Sequence, residues 1–174
     1  MLGLAAQWLG VTQTQANSVA PILISEEQGR HKSTFCRMLM PPQLARYYSD
    51  NLKLTAQGNP ERLLAEMGLL NMDEFDKFGA QKMPLLKNLM QMSSLNICKA
   101  YQKNFRSLPR IASFIGTSNR TDLLCDPTGS RRFICIEAEH DIDCTGIEHS
   151  QIYAQLKEEL LAGARHWFNK EEEH

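Results

Sequence analysis

The 174-residue sequence has no excess charge of either sign: 19 Lys and Arg oppose 20 Asp and Glu, a formal net charge of −1. That excludes a surface that coats a polyanion as a whole, though not a local basic patch. No apolar run approaches the roughly 18 residues of a membrane span, so no membrane partner is expected. The opening "MLGLAAQWLG" lacks the basic residues that begin a signal peptide. It reads as the last turns of a helix in a longer protein. Five cysteines (Cys36, Cys98, Cys125, Cys135 and Cys144) form no C-x-x-C pair. Neither a disulfide framework nor a zinc site is indicated, and reduced thiols in a cytoplasmic protein are expected. There is no internal repeat, and the only low-complexity stretch is the acidic tail from Glu171 to Glu173.

What is present is near the globular average, with 43% hydrophobic and 22% charged residues. The length fits one domain over residues 1–174. Short apolar runs from Val19 to Ile24, Leu69 to Met72, Ile111 to Ile115 and Phe133 to Ile136 read as buried strands. Between them lie helical patterns. Ser33 to Met40 is stopped by Pro41 and Pro42; a second helix starts at Asn59-Pro60, with Leu63, Leu64 and Met67 on one face. Pro84 to Met92 is a third, with Leu85, Leu89 and Met92 at core spacing. Ile152, Leu156, Leu160 and Trp167 form one face of a closing helix. Trp8 and Trp167 read as packing anchors, and His140, His149 and His166 as surface residues. Apolar runs alternating with helices predict a three-layer α/β domain with a central, mainly parallel sheet.

Several segments carry candidate chemistry. In "APILISEEQGRHKSTFCRMLM" a strand, a loop and a helix start follow one another. That is the layout of a P-loop, in which backbone N–H groups cradle phosphates, a lysine reaches them and a hydroxyl binds magnesium. Lys32 and Ser33 fit G-x-x-x-x-G-K-[ST], but Glu26 and His31 stand at the two glycine positions. His31 adds bulk where phosphates would lie. The nucleotide-binding candidates are Gln28, Gly29, Arg30, His31, Lys32, Ser33 and Thr34. The alternative is a strand-turn-helix whose "KST" only starts the helix.

Asp73 and Glu74 follow an apolar strand directly, where ligands bind in open α/β sheets. The first acid, with Ser33, suits a magnesium site and the second suits activation of water. Asp76 reads instead as a solvated partner of Lys77. A third strand ends in Thr117-Ser118-Asn119, whose Asn119 suits a water-orienting or phosphate-sensing role. Arg131 and Arg132 precede a fourth strand, and arginine is the residue of phosphate-directed fingers. In "NICKAYQKNFRSLPR", Lys99, Lys103, Arg106 and Arg110 interleave with Tyr101 and Phe105. Cations beside stackable rings suit single-stranded nucleic acid; an ordinary solvated hairpin is the other reading.

The order of these segments is that of AAA-plus-type ATPases and superfamily III helicases. Within that group, "QGRHKSTF", "GLLNMDEFDKF" and "FIGTSNRTDLLCDPTGSRRF" resemble the virulence-associated E family over roughly Pro21 to Ile136. Those are P-loop proteins of bacteria and their mobile elements, often joined to primase-like domains. The resemblance implies ATP and Mg²⁺ at Lys32, Ser33 and Asp73. It implies Glu74 as the second acid, Asn119 as sensor and Arg131 or Arg132 as finger. It also implies ring-like homo-oligomers, a hairpin reaching nucleic acid through Lys99, Tyr101, Lys103 and Arg106, and a primase-like domain elsewhere in the full protein. The family pattern near "QGxGKST" has glycine where this chain has His31. The expectation is an ATP-binding and hydrolysing domain of a replication or mobile-element protein with a degenerate loop. The competing expectations are a P-loop module without nucleotide that binds nucleic acid or a protein, and, more remotely, a small-molecule kinase.

Overall fold

The structure, a computed structural model, describes residues 1–11, 17–98, 105–120 and 132–167. Lys99, Tyr101, Lys103 and Arg131 lie outside these residues. The strands are β1 (Ala20–Ile24), β2 (Tyr48–Ser49), β3 (Leu69–Met72), β4 (Ser94–Cys98), β5 (Phe105–Pro109), β6 (Ser113–Ser118) and β7 (Phe133–Glu137). The α-helices are α1 (Leu2–Trp8), α2 (Lys32–Met38), α3 (Pro60–Glu66), α4 (Met83–Gln91) and α5 (His149–Leu161).

Five strands form one sheet in the order β2-β3-β6-β1-β7, and every pairing in it is parallel. β4 and β5 make a separate antiparallel hairpin, with Ser94 opposite Pro109 and Cys98 opposite Phe105. Side chains alternate across each strand, so each face of the sheet has its own core. Ile22, Leu70, Met72 and Phe114 join Leu64, Leu86, Leu89 and Met90 of α3 and α4. Leu23, Leu69 and Ile115 join Leu4 of α1 and Cys36 of α2 on the other face. This is the expected α/β architecture with a parallel sheet flanked by helices. Gly116 sits in β6 between Ile22 and Met72. A Cβ there would lie 2.6 Å from Ile22 Cδ1 and 3.3 Å from the Met72 carbonyl oxygen, so the two neighbouring strands close on the bare backbone.

Four local expectations need correction. On α4 the buried residues are Leu86, Leu89 and Met90, while Leu85 is exposed. The residues around it, Met83 and Met92, still pack on the core. On α5 only Leu156 is fully buried; Ile152 is exposed, and Tyr153 stacks on Trp8 at 5.5 Å. The helix therefore packs by an aromatic pair against α1, not by an aliphatic stripe. Trp167 lies beyond the helix, exposed and edge-on to His166, so of the two tryptophans only Trp8 anchors packing. His149 is half-buried, with Nε2 2.6 Å from the Met38 carbonyl oxygen, and ties α5 to α2.

One buried polar pair stands out. Asn71 in β3 is fully buried, and among the described residues neither its amide nor the Tyr48 hydroxyl has a partner in good hydrogen-bond geometry. The hydroxyl lies near the amide, and burial pushes the Tyr48 pKa up to about 12. Replacing both members of such a pair with apolar groups of similar shape removes a desolvation cost of about 1–3 kcal/mol. Tyr48→Phe combined with Asn71→Leu is expected to raise the midpoint of thermal unfolding, measured by circular dichroism. A lowered midpoint would mean that the two groups are bonded in solution.

Candidate functional site

The parallel sheet brings the carboxyl ends of β1, β3 and β6 side by side, because β6 lies between the other two. Ser25, Asp73 and Asn119 each follow one of these strand ends directly. A cleft of about 400 Å³ opens there, lined by the loop from Gln28 to Thr34 and by Asp73, Glu74 and Asn119. The loop leads from β1 into α2, so the amino end of that helix faces the cleft.

At its floor, Ser33 Oγ donates to Asp73 Oδ1 at 2.7 Å, and Thr117 Oγ1 donates to the same oxygen at 2.6 Å. Lys32 is almost wholly buried. Its ammonium donates to Asn119 Oδ1 at 2.9 Å, to Ser25 Oγ and, at 3.5 Å, to the Glu27 carbonyl. Burial, with Arg30 nearby, holds its pKa below the ordinary lysine value; Asp73 and Asp76 act in the opposite sense. The expected phosphate, metal and sensor candidates therefore meet in one place, although 87 residues separate Lys32 from Asn119.

Two non-glycine residues at the cleft have left-handed backbones: His31 at φ 60° and Glu74 at φ 52°. His31 is the residue just before α2, where the loop pattern calls for glycine. Glu26, at the other glycine position, is not among the positive-φ residues, so its side chain imposes no such strain. Strain of this type costs on the order of 1 kcal/mol or more and collects at functional sites. The loop is also tied down by side chains. Ser25 Oγ donates to the Glu27 carbonyl at 2.6 Å. Arg30 donates to the Glu27 carboxylate at 2.8 Å and to the Glu139 carbonyl, while the Ile142 N–H donates to the Arg30 carbonyl at 3.3 Å. The segment after β7 thus straps the loop from outside. Gln28, Gly29 and Thr34 are exposed on it.

Sequence reasoning missed three contributors. Thr117 orients Asp73 and also accepts from the Glu74 N–H at 3.3 Å. Ser25 holds the loop and the Lys32 ammonium. Asp76 accepts from Ser118 Oγ at 2.9 Å, and Ser118 in turn accepts from the Arg120 N–H, so Asp76 braces the turn that carries Asn119. Lys77 pairs at 2.6 Å with Glu74, not with Asp76. The sequence did carry the signal: Glu74 is three residues before Lys77, a spacing at which side chains meet across one helical turn, whereas Asp76 is adjacent to it. Arg132 directly precedes Phe133, the register partner of Ala20, at the far end of β1 from the cleft. Arg110, expected on the basic hairpin, is buried. Arg106, on β5, is exposed.

The donor set also bears on metals. Among the described residues no cluster of three or more His, Cys, Asp or Glu could hold an ion. One hydroxyl and one carboxylate are hard oxygen donors of the kind that hold Mg²⁺ together with phosphate oxygens, not as a resident metal. A larger concavity of about 650 Å³, lined by Trp8, Leu44, Tyr47 and Met67, is apolar and lies at the opposite end of β3. It carries none of this chemistry.

A parallel sheet with a strand-loop-helix phosphate-loop layout, and with a carboxylate and an asparagine at the next two strand ends, defines a P-loop NTPase-like fold. Residues 11–174 match the model of the Virulence-associated protein E-like domain, and the chain belongs to that family. No curated protein matches it in sequence. Among solved structures, an apo structure of the NrS-1 C-terminal region is similar at 21% identity and a TM-score of 0.53, over 93% of this chain and 40% of that one. Two A-form apo structures of the same region give TM-scores of 0.52 and 0.53 at 21% identity, over 88% and 98% of this chain. The chain spans 36% and 42% of their lengths. Among the described residues no helix is long and apolar enough to cross a membrane.

The left-handed backbone at His31 gives a direct test of the loop. His31→Gly is expected to stabilise the protein by about 1 kcal/mol, because glycine takes φ above zero without steric cost. Urea unfolding would measure it; a destabilised variant would mean that the imidazole makes contacts worth more than the strain.

Proposed function

We propose that the chain is a nucleoside-triphosphate-binding and hydrolysing domain of a DNA-replication or mobile-element protein, in which residues 1–174 act as one P-loop unit. The observation that carries this reading is the shared oxygen of Asp73. It receives the Ser33 hydroxyl at 2.7 Å while Lys32, the neighbouring residue, meets Asn119 at 2.9 Å. The reading is that Lys32 holds the terminal phosphates and Asn119 orients the attacking water. Glu74 accepts that water's proton, for which its carboxylate must leave Lys77. Ser33 and Asp73 would hold Mg²⁺, which when bound offsets phosphate charge. The family resemblance supports ATP as the nucleotide and the cytoplasm as the setting.

Arg132 supports a homo-oligomer. β1 spans five residues, about 16 Å at roughly 3.3 Å per residue, between the level of Arg132 and the cleft. An arginine so placed serves a neighbour's cleft, as in a ring. The hairpin of β4 and β5 is the proposed contact for single-stranded nucleic acid, through Arg106 together with Lys99, Tyr101 and Lys103. A primase-like domain is the proposed companion in the full-length protein. A second reading, a P-loop module that binds nucleic acid or a protein without using nucleotide, is favoured by one observation: His31 places a side chain at the cleft where glycine would leave room.

Calorimetric titration with magnesium-ATP separates the two. Micromolar binding is expected in the parent, at least about tenfold tighter in His31→Gly, and lost in Lys32→Ala. Binding by none of the three would remove the nucleotide reading; binding by His31→Gly alone would favour the second.

Trans action by arginine is tested by mixing. Arg132→Ala and Lys32→Ala are each expected to lose ATP hydrolysis, and mixtures to regain part of it because each variant supplies what its neighbour lacks. If mixtures stay inactive while Arg131→Ala mixtures recover, the finger is Arg131.

A further inference from the structure

Arg110 is the largest fully buried side chain and has no place in the chemistry above. Among the described residues its guanidinium meets no carboxylate; its hydrogen-bond partners are carbonyls. Nε donates to the Ala112 carbonyl at 2.8 Å and Nη2 to the Asn17 carbonyl at 2.6 Å. Nη1 donates to the Met90 and Met92 carbonyls, at 2.5 and 3.2 Å. The Arg110 carbonyl accepts Gln7 Nε2 at 2.5 Å, and the guanidinium lies 5.3 Å from the Phe114 ring centroid. Burial lowers its pKa to about 10, which still leaves it charged at neutral pH.

Burying a cation without a counter-charge is costly, so its carbonyl partners must all be in place at once. Two of them are unpaired carbonyls at the end of α4, where a cation also suits the helix dipole. The others come from Asn17 and from Ala112, the residue just before β6. The side chain therefore fixes the relative positions of separate chain segments at a single corner.

That corner is where the hairpin becomes the sensor strand. Only Arg110, Ile111 and Ala112 separate β5 from β6. The Arg110 N–H donates to the Ser93 carbonyl at 3.0 Å and extends the hairpin ladder by one rung. The Ile111 and Ala112 N–H groups both meet the Leu64 carbonyl at 3.0 Å. β6 is buried along all six residues and ends at Ser118, just before Asn119. A displacement at the hairpin base thus has a stiff path to the residue that holds Lys32. Lys32 has alternative partners: Asn119, Ser25 and Glu27 as seen, or a phosphate that competes for the same ammonium.

We propose that Arg110 is a positioning residue that couples single-stranded nucleic acid on the β4–β5 hairpin to the Lys32–Asn119 contact. This rests on the nucleotide and hairpin readings above. The test is the affinity for magnesium-ATP, by calorimetry, with and without a saturating oligodeoxythymidylate. In the parent the oligonucleotide is expected to change the ATP affinity by about fivefold or more, and ATP to change the oligonucleotide affinity by the same factor. Arg110→Lys keeps the charge but not the fork. It is expected to leave each separate affinity within about twofold and to bring the coupling factor to about one. Should that variant not fold, Gln7→Leu, which frees the Arg110 carbonyl and leaves the charge in place, is expected to weaken coupling at least about threefold. A purely structural arginine would lower the unfolding midpoint and leave the coupling factor unchanged. Parent protein that binds both ligands without mutual effect overturns this inference alone, as does a folded variant with parental coupling. Parent protein that binds no ATP overturns the functional reading and this inference with it.

Discussion

The candidate site depends on one carboxylate oxygen. Asp73 Oδ1 accepts a hydroxyl from Ser33, on the helix after β1, and another from Thr117, in β6. Three segments distant in sequence are thereby held at one atom. The sheet order makes this possible, since β6 between β1 and β3 brings their carboxyl ends within reach of one another. Gly116, directly before Thr117, is what lets β6 lie so close to Ile22 and Met72. A larger residue there would push apart the strands whose ends make the cleft. Packing in the middle of the sheet thus sets the geometry at its edge.

Much of this was legible in the sequence because parallel strands buried on both faces leave continuous apolar runs. β1 and β3 appear within a residue of such runs, and β6 begins two residues later and ends three residues later than its run. β7 was placed correctly but for another reason than burial: it is an edge strand, buried only at Phe133, with Ile134 and Ile136 exposed. β2 did not: two residues, Tyr48 and Ser49, carry no periodicity. Helix faces were harder. On α4, Leu85 and Leu86 are both apolar, and only the neighbours decide which turns inward. Lys32, Ser33, Asp73 and Asn119 were found because each sits at a strand end or helix start that sequence can mark. Thr117, Ser25 and Asp76 were missed because their roles lie in what they hold, and nothing local distinguishes them from turn residues. Arg110 was misplaced for the opposite reason. A cation next to a basic hairpin reads as part of it, and a buried guanidinium satisfied only by carbonyls leaves no charge pattern in the sequence.

The loop from Gln28 to Thr34 shows how side-chain bonds can hold a backbone shape for which glycine is the usual residue. Glycine selects such a loop by tolerating left-handed and crowded backbone. Here only Gly29 retains that freedom among residues 26–31, and His31 adopts φ 60° despite its side chain. The compensation is in side-chain bonds: Ser25 to the Glu27 carbonyl, Arg30 to the Glu27 carboxylate and the strap, Lys32 to Ser25 and Asn119. The Arg30 pair also keeps the Glu27 charge occupied beside a site suited to anions. Bonds of this kind hold the loop but stand in competition with a ligand. A phosphate bound there, as proposed, would have to take the Lys32 ammonium from two side chains and fit beside an imidazole. On the proposed reading, the residues at the glycine positions would act on affinity for a nucleotide much more than on the fold. The parallel-sheet architecture follows the family, while the strength of the proposed binding would be set by a handful of exchanged hydrogen bonds.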